Sequence, residues 1–325
     1  MISAPIPRVF SVHGRLAALA PVLLAALFIA FGSAPARAQV TCTASFSTLA
    51  FGSVNVLQGN AVDSAGALSA SCSGFQGAAD RVRMCFTMGA GSYPQSGSLR
   101  QLGSGANRAL MQIYSDAART LVWDSSLANA VSIILTRDAP SIVVPVYGRV
   151  IGGQQNAPPG FYSTTMNASL NQAIYNGQPP SCASIASQSA LAFAVNANLP
   201  SSCSATATNL NFGELGNFSA LLDATSTISV LCTNATPYHV RLDGGASGSG
   251  VTQRAMALGA NKITYGLFRD AARTQNWGAT DGVDTVTGIG ATSSVGHTVY
   301  GRIPAQPKKP QGVYMDTIVV TISFL

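Results

Sequence analysis

The chain has 325 residues, of which 18 are Lys or Arg and 12 are Asp or Glu, giving a formal charge of +6. Charged residues make up only 9% of it, against about 25% in typical soluble proteins, and no basic cluster is long enough to follow a phosphate backbone. This composition argues against a nucleic-acid partner, and the length is sufficient for two domains of ordinary size.

Residues 1–38 have the features of a secretory signal peptide. Arg8 and Arg15 precede an apolar run over residues 16–31, and Ala36-Arg37-Ala38 is a small-x-small cleavage site. The run is shorter than the roughly 20 residues that a membrane-spanning helix needs, which leaves a retained anchor as the alternative. We therefore predict an exported chain whose mature form begins at Gln39.

The rest of the sequence contains an internal repeat. Three motifs occur twice, in the same order and at nearly constant offset. They are Cys-x6-Leu-x-Phe-Gly at 42–52 and 203–213, Asp-Ala-Ala-Arg-Thr at 116–120 and 270–274, and Tyr-Gly-Arg at 147–149 and 300–302. Such a repeat indicates two homologous domains, which we place at residues 39–199 (the first copy) and 200–325 (the second copy).

Both copies have the pattern of strands, because short β-branched and aromatic runs are punctuated by Gly, Pro, Asn and Ser. Strands without intervening helices predict an all-β fold of two β-sandwich domains. The predicted strands are Arg81–Met88, Val131–Thr136, Ile142–Ile151, Phe161–Leu170, Thr227–Cys232, Tyr238–Leu242, Ile263–Arg269, His297–Ile303 and Val313–Phe324.

The first copy carries an additional segment, Ser189–Leu199, that the second copy lacks. In it Leu191, Phe193 and Val195 alternate with small or polar residues, which is typical of a half-buried strand. We expect this strand to complete the first domain from within. The alternative is an interdomain linker that contains some apolar residues.

Six cysteines in an exported chain predict a disulfide framework. The repeat narrows the pairing, and the simplest connectivity is Cys42–Cys72, Cys203–Cys232 and Cys85–Cys182. Free or metal-binding thiols are the alternative, but the sequence has no Cys-x-x-Cys motif and no Cys/His cluster.

Three strings of the second copy carry a family resemblance: Leu267–Thr274, Val299–Gln306 and Gly312–Thr317. They are similar to the spore coat protein U domain, the pilin-like domain of Csu-type chaperone-usher fimbriae, over nearly all of residues 203–325. The first copy matches less well, since Thr164 stands where the second copy has Asp316.

The resemblance implies an incomplete immunoglobulin-like fold. A pilin of this kind lacks its last strand and receives one from a periplasmic chaperone or from the adjacent subunit after assembly at an outer-membrane usher. The sequence ends just after the apolar strand, so we expect the donor-strand groove of the second copy at Ile318, Val320 and Ile322. A mature chain that begins at Gln39 would have no strand to give, which favours a position at the pilus tip.

The implied function is a structural and adhesive tip subunit on the cell surface, attaching to host or abiotic surfaces and forming biofilm. The long loops of the first copy are candidate binding elements, although burial in the core is the other interpretation of Tyr93 and Leu99. These loops are Gly89–Gly105 with Tyr93, Pro94 and Leu99, Ser125–Ala130, and Gly152–Pro159.

We predict no enzymatic activity, no cofactor and no metal. His239 and His297 have no partners at catalytic or ligand spacing, and Asp116 and Asp270 suit turns stabilised by aspartate side chains. We likewise expect Arg149 and Arg302 to be structural. A free-standing secreted carbohydrate-binding or coat protein is the alternative function, and a secreted β-sandwich hydrolase is a third.

Overall fold

A computed structural model of the protein describes residues 39–186, 188–214, 216 and 219–324. The predicted signal peptide therefore lies outside the described residues. Within them no helix is long and apolar enough to cross a membrane. The only helices there are single 3₁₀ turns, at Val56–Gln58, Leu127–Asn129 and Cys182–Ser184, and the all-β prediction is confirmed.

The strands of the first copy form one sheet that curls around a hydrophobic core. Its order is β1-β3-β8-β6-β5-β9-β10-β2, and β4 pairs with both β7 and β9. These strands are β1 Thr41–Phe46, β2 Leu49–Ser53, β3 Val62–Ser73, β4 Arg81–Met88, β5 Arg100–Ser104, β6 Asn107–Tyr114, β7 Val131–Thr136, β8 Ser141–Val150, β9 Gly160–Tyr175 and β10 Gln188–Leu199.

The strands of the second copy form two sheets around a separate core that includes Trp277 and Tyr238. The larger sheet has the order β11-β12-β17-β15-β14, and the smaller has β16-β13-β18. These strands are β11 Cys203–Ala207, β12 Leu222–Cys232, β13 Pro237–Leu242, β14 Arg254–Leu258, β15 Asn261–Phe268, β16 Val286–Ile289, β17 Val295–Ile303 and β18 Val320–Phe324.

The predicted extra strand of the first copy is present. β10 pairs antiparallel with β9 from Gln188 to Leu199 and parallel with β2. Phe193, Val195 and Leu199 are buried in the first core. The linker interpretation is therefore wrong, and residues 200–202 alone connect β10 to β11.

The three disulfides have the predicted connectivity. Cys42–Cys72 joins β1 to β3, and Cys203–Cys232 joins β11 to β12 in the same register. Cys85–Cys182 spans 97 residues and ties β4 to the segment that follows β9. On the chain-entropy model, a loop of that length stabilises the folded state by about 4 to 5 kcal/mol.

Each copy is also locked by a buried arginine that sequence reasoning missed. Arg254 donates to the carbonyl oxygens of Asp243 (2.8 Å), Val251 (2.8 Å), Leu242 (3.2 Å) and Trp277 (2.7 Å). Arg100 makes three equivalent bonds in the first copy, to the carbonyls of Gly89, Met88 and Trp123, and its Nη1 donates to the Gln112 side chain. Burial lowers the pKa of Arg100 to about 10, so the guanidinium remains charged at neutral pH and satisfies several inward-facing carbonyls at once.

Candidate strand-acceptor groove

The two copies differ most at one edge of the sheet. In the first copy, β9 lies between β4 and β10. In the second copy, β18 pairs with β13 on one side, and no strand in the described part of the chain pairs with its other side.

The missing neighbour shortens the last strand of the second copy. Pairing with β10 extends the ladder of β9 back to Gly160, whereas the ladder of β18 begins only at Val320. Residues 312–319 make one isolated bridge, between Ala257 and Met315. The prediction of a strand from Val313 to Phe324 is therefore wrong for its first half, because residues 312–319 pair with a described strand only at Met315, which exchanges two hydrogen bonds with Ala257 of β14.

Burial of the inward-facing side chains differs in the same way. Tyr162 and Met166 of β9 are 0% exposed. Their equivalents Tyr314 and Ile318 are only half-buried, as are Val320 and Ile322 farther along the same edge. A row of apolar side chains that is enclosed in the first copy is thus partly open in the second.

The opposite wall shows the same contrast. In the first copy Leu49 of β2 lies beside Val195 of β10 and is 0% exposed. In the second copy Leu210 and Phe212 are half-buried and belong to no strand. Ala207, which lies on the inward side of β11, is exposed. We call the cleft between residues 207–212 and residues 314–322 the acceptor groove.

One carboxylate lies along the acceptor groove. Asp316 accepts hydrogen bonds from the Tyr265 hydroxyl (2.7 Å) and from the backbone N–H groups of Ala246 (2.9 Å) and Thr317 (2.9 Å). Burial and the adjacent Asp316 carboxylate raise the pKa of Tyr265. In the first copy Thr164 accepts the Ser92 N–H (3.1 Å) at this position. Asp316 therefore connects the groove to the loop that contains Ala246 and to Tyr265 of β15.

The outward side of the same segment is apolar as well. Val313, Met315 and Val319 are 72%, 70% and 55% exposed. The equivalent positions of β9 beyond Phe161 include Ser163 and Asn167. Exposed apolar side chains on both sides of one segment are typical of a surface that a partner covers.

The candidate adhesion residues lie in varied surroundings. Tyr93 is half-buried, with its ring against Gly103 and the Arg108 guanidinium 4.1 Å from its centre. Leu99 is half-buried and Pro94 is exposed.

Two of the predicted loops need revision as structural elements. Gly89–Gly105 is not all loop, because β5 pairs with β6 in a hairpin closed by Gly105 at a φ of 56°. Gly152–Pro159 lies at the junction with the second copy, since the Asn156 carbonyl accepts the Asn234 side chain (2.9 Å).

The polar motifs have structural partners. Asp116 and Asp270 each accept backbone N–H groups of their own turns, and Arg149 and Arg302 pair with Asp63 and Asp223.

The two histidines also contact neighbouring side chains. His297 Nε2 lies 2.8 Å from the Tyr238 hydroxyl, burial lowers its pKa, and His239 Nδ1 lies 3.2 Å from the Thr285 hydroxyl. Among the described residues no three His, Cys, Asp or Glu side chains form a group that could hold a metal.

One solved structure with a similar fold is of a pilus protein. The chain matches the CsuC-CsuE chaperone–tip adhesion subunit pre-assembly complex of the archaic chaperone-usher Csu pili of Acinetobacter baumannii. Identity is 18%, the TM-score is 0.54, and the match covers 87% of this chain and 100% of that one. The CupB6 tip adhesin of Pseudomonas aeruginosa matches over 86% of this chain and 93% of its own, with 13% identity and a TM-score of 0.40.

Sequence comparison gives a closer assignment. Protein U of Myxococcus xanthus is 35% identical over 111 residues, which cover 32% of this chain and 61% of that protein. The model of the Spore Coat Protein U domain matches residues 29–169 and 189–321. With both copies matched, the chain belongs to the Spore Coat Protein U domain family.

Proposed function

We propose that the protein is an adhesive tip subunit of a chaperone-usher pilus, and that its second copy is completed by a strand from another protein. The acceptor groove carries this proposal. The first copy contains β10 at this place, and the second copy has the same apolar row with no described strand paired to β18 on the side away from β13.

The energy of an open groove supports a donated strand. Fully burying a Val, Leu or Ile side chain contributes about 1.5 to 3 kcal/mol. Completing the burial of Tyr314, Ile318, Val320 and Ile322, which are half-buried now, would therefore contribute about 3 to 6 kcal/mol. New ladder hydrogen bonds to residues 312–319 would add to this. A groove left open would expose an unpaired edge that favours aggregation.

The proposed partners follow from this requirement. During export through the periplasm a pilus chaperone would fill the groove, and after assembly at the outer-membrane usher an adjacent pilin would replace it. The fold shared with a subunit described as a chaperone–tip adhesion complex supports the chaperone as the first partner. The first copy already contains its completing strand, so it accepts none, which suits the outer end of a fibre.

Adhesion to host or abiotic surfaces, and biofilm formation through it, are assigned to the first copy. Pro94 is exposed and Tyr93 and Leu99 are half-buried, so this segment offers a small, partly apolar surface. The proposed acceptor residues remain Ile318, Val320 and Ile322, and the two domains remain residues 39–199 and 200–325.

The test is expression of residues 39–325 in a periplasm with and without the pilus chaperone encoded beside the subunit. We expect a soluble one-to-one complex with the chaperone, and proteolysis or aggregation without it. The matched control is residues 39–199, which include β10 and should be soluble alone. An abundant protease-resistant monomer of residues 39–325 without chaperone would overturn the proposal in favour of a free-standing carbohydrate-binding or coat protein.

A further inference from the structure

An aromatic cluster encloses β10 in the first copy. Phe193 of β10 stacks on Phe46 with ring centres 4.7 Å apart and planes inclined by 18°. Phe46 in turn contacts Phe86 at 6.3 Å and Trp123 at 6.0 Å. Since a buried aromatic ring removes more apolar surface from water than an aliphatic side chain does, Phe193 is the main anchor of this strand.

The second copy keeps the tryptophan of this cluster and has smaller residues at two other positions. Ala207 and Phe46 lie at the same spacing from the disulfide cysteine of their strands and in the same ladder register. Trp123 Nε1 donates to the Phe86 carbonyl (2.9 Å), and Trp277 Nε1 donates to the Val240 carbonyl (2.8 Å). Ala207 and Val240 therefore stand where the first copy has two phenyl rings.

The nearest large ring of β13 is directed elsewhere. The Tyr238 hydroxyl lies 2.8 Å from His297 Nε2, and its ring lies against Gly288. In the first copy, Phe193 of β10 pairs with Met166 of β9. The equivalent of Met166 in the second copy is Ile318, so a strand that enters the groove would place its corresponding residue opposite Ile318. A strand entering the groove at this register would meet the exposed Ala207 where Phe193 of β10 meets the Phe46 ring.

We infer that the strand accepted by the second copy carries a bulky aromatic side chain at the position opposite Ile318, and that the small, exposed Ala207 selects for it. This inference rests on the proposed function, because it concerns the same groove. The partner is identified by its chemistry, as an extended segment with alternating apolar residues whose largest ring enters this one pocket.

A tethered copy of β10 provides the probe. The segment Gln188–Leu199 is fused after residue 325 through a flexible Gly/Ser linker of about a dozen residues, with Ala, Leu, Phe or Trp at the position of Phe193. A C-terminal segment can return antiparallel to β18, as β10 returns along β9, and the tether gives it a high effective concentration. Hydrogen–deuterium exchange at Val320–Phe324 and the urea midpoint of the second copy report on strand insertion.

We expect protection to increase in the order Ala, Leu, Phe, Trp, with exchange at least about tenfold slower for Trp than for Ala. Ala207→Phe should fill the pocket and reverse the order of Trp and Phe. Thr206→Phe is the matched control, because it adds the same ring on the outward side of β11 and should leave the order unchanged. If Ala207→Phe does not fold, the four tails on the unmodified chain still test the inference.

If all four tails protected Val320–Phe324 from exchange equally, and more than in the chain without a tail, the aromatic selectivity would be overturned. The acceptor groove would still be supported. Protection by no tail would overturn both. If Ala207→Phe left the order of protection by the four tails unchanged, the aromatic ring would not enter at Ala207, and the assignment of Ala207 as the selecting residue would be overturned.

Discussion

Phe193→Ala tests whether β10 completes the first copy. Phe193 is 6% exposed and stacks on Phe46, so its truncation removes both buried area and a ring contact. Replacing a buried Phe by Ala typically costs about 3 to 5 kcal/mol. The matched control is Phe161→Ala on β9, because Phe161 is 60% exposed and its loss should change stability by no more than about 0.5 kcal/mol.

The measurement is urea unfolding followed by tryptophan fluorescence. The chain has two tryptophans, so in a Trp277→Phe background Trp123, which lies 6.0 Å from Phe46, reports on the first copy alone. We expect a lower midpoint for Phe193→Ala, together with faster proteolysis between Cys182 and Cys203. If Phe193→Ala and Phe161→Ala unfold at the same urea concentration, β10 does not stabilise the first copy as argued.

Two further predictions concern polar groups of the second copy. Arg254→Met leaves the carbonyls of Leu242, Asp243 and Trp277 without their shared donor and should lower the free energy of unfolding by about 2 to 4 kcal/mol. The control is Arg269→Met, which should cost less in the same denaturant titration, because the half-buried Arg269 donates to the Thr285 carbonyl (3.1 Å). Hydrogen bonds from Arg241 and Ser323 lower the pKa of Asp281 to about 2. Because the folded pKa of Asp281 lies below the ordinary 3.8, the stabilisation is complete above about pH 4 and is lost as the pH falls toward 2. Asp281→Asn should remove this pH dependence of the melting temperature in thermal melts from pH 5 to 2. An unchanged pH profile would contradict the stabilising role of the Asp281 carboxylate.

The sequence predicts the repeated parts of the fold well. Arg81–Met88 and Val131–Thr136 form strands with the predicted bounds, because the alternation of larger apolar residues with smaller or more polar ones is a local property of the sequence. The disulfides Cys42–Cys72 and Cys203–Cys232 follow from the repeat, since equivalent cysteines must lie in equivalent places, and Cys85–Cys182 is the pair that remains. The strand β10 was predictable from the alternation around Phe193.

The buried arginines were not predictable from local pattern. Arg100 and Arg254 are the first residues of the short strands β5 and β14, and a charged residue normally indicates a solvent-exposed position. Their burial depends on carbonyl groups contributed by segments far along the chain, such as those of Trp123 and Trp277. A signal was nevertheless present, because an arginine recurs at the same offset as the Asp-Ala-Ala-Arg-Thr motif.

The segment from Val313 to Phe324 shows why a correct pattern can predict an element that is only half formed. Its inward residues Tyr314, Ile318 and Ile322 alternate as those of β9 do, so the local preference for a strand is the same. A strand needs a neighbour for its hydrogen bonds as well as an apolar side. β9 has that neighbour in β10, whereas residues 312–319 have only the single bridge between Met315 and Ala257 of β14 among the described strands. The side-chain pattern alone therefore predicts a strand over residues 313–324, whereas the backbone ladder forms only over Val320–Phe324.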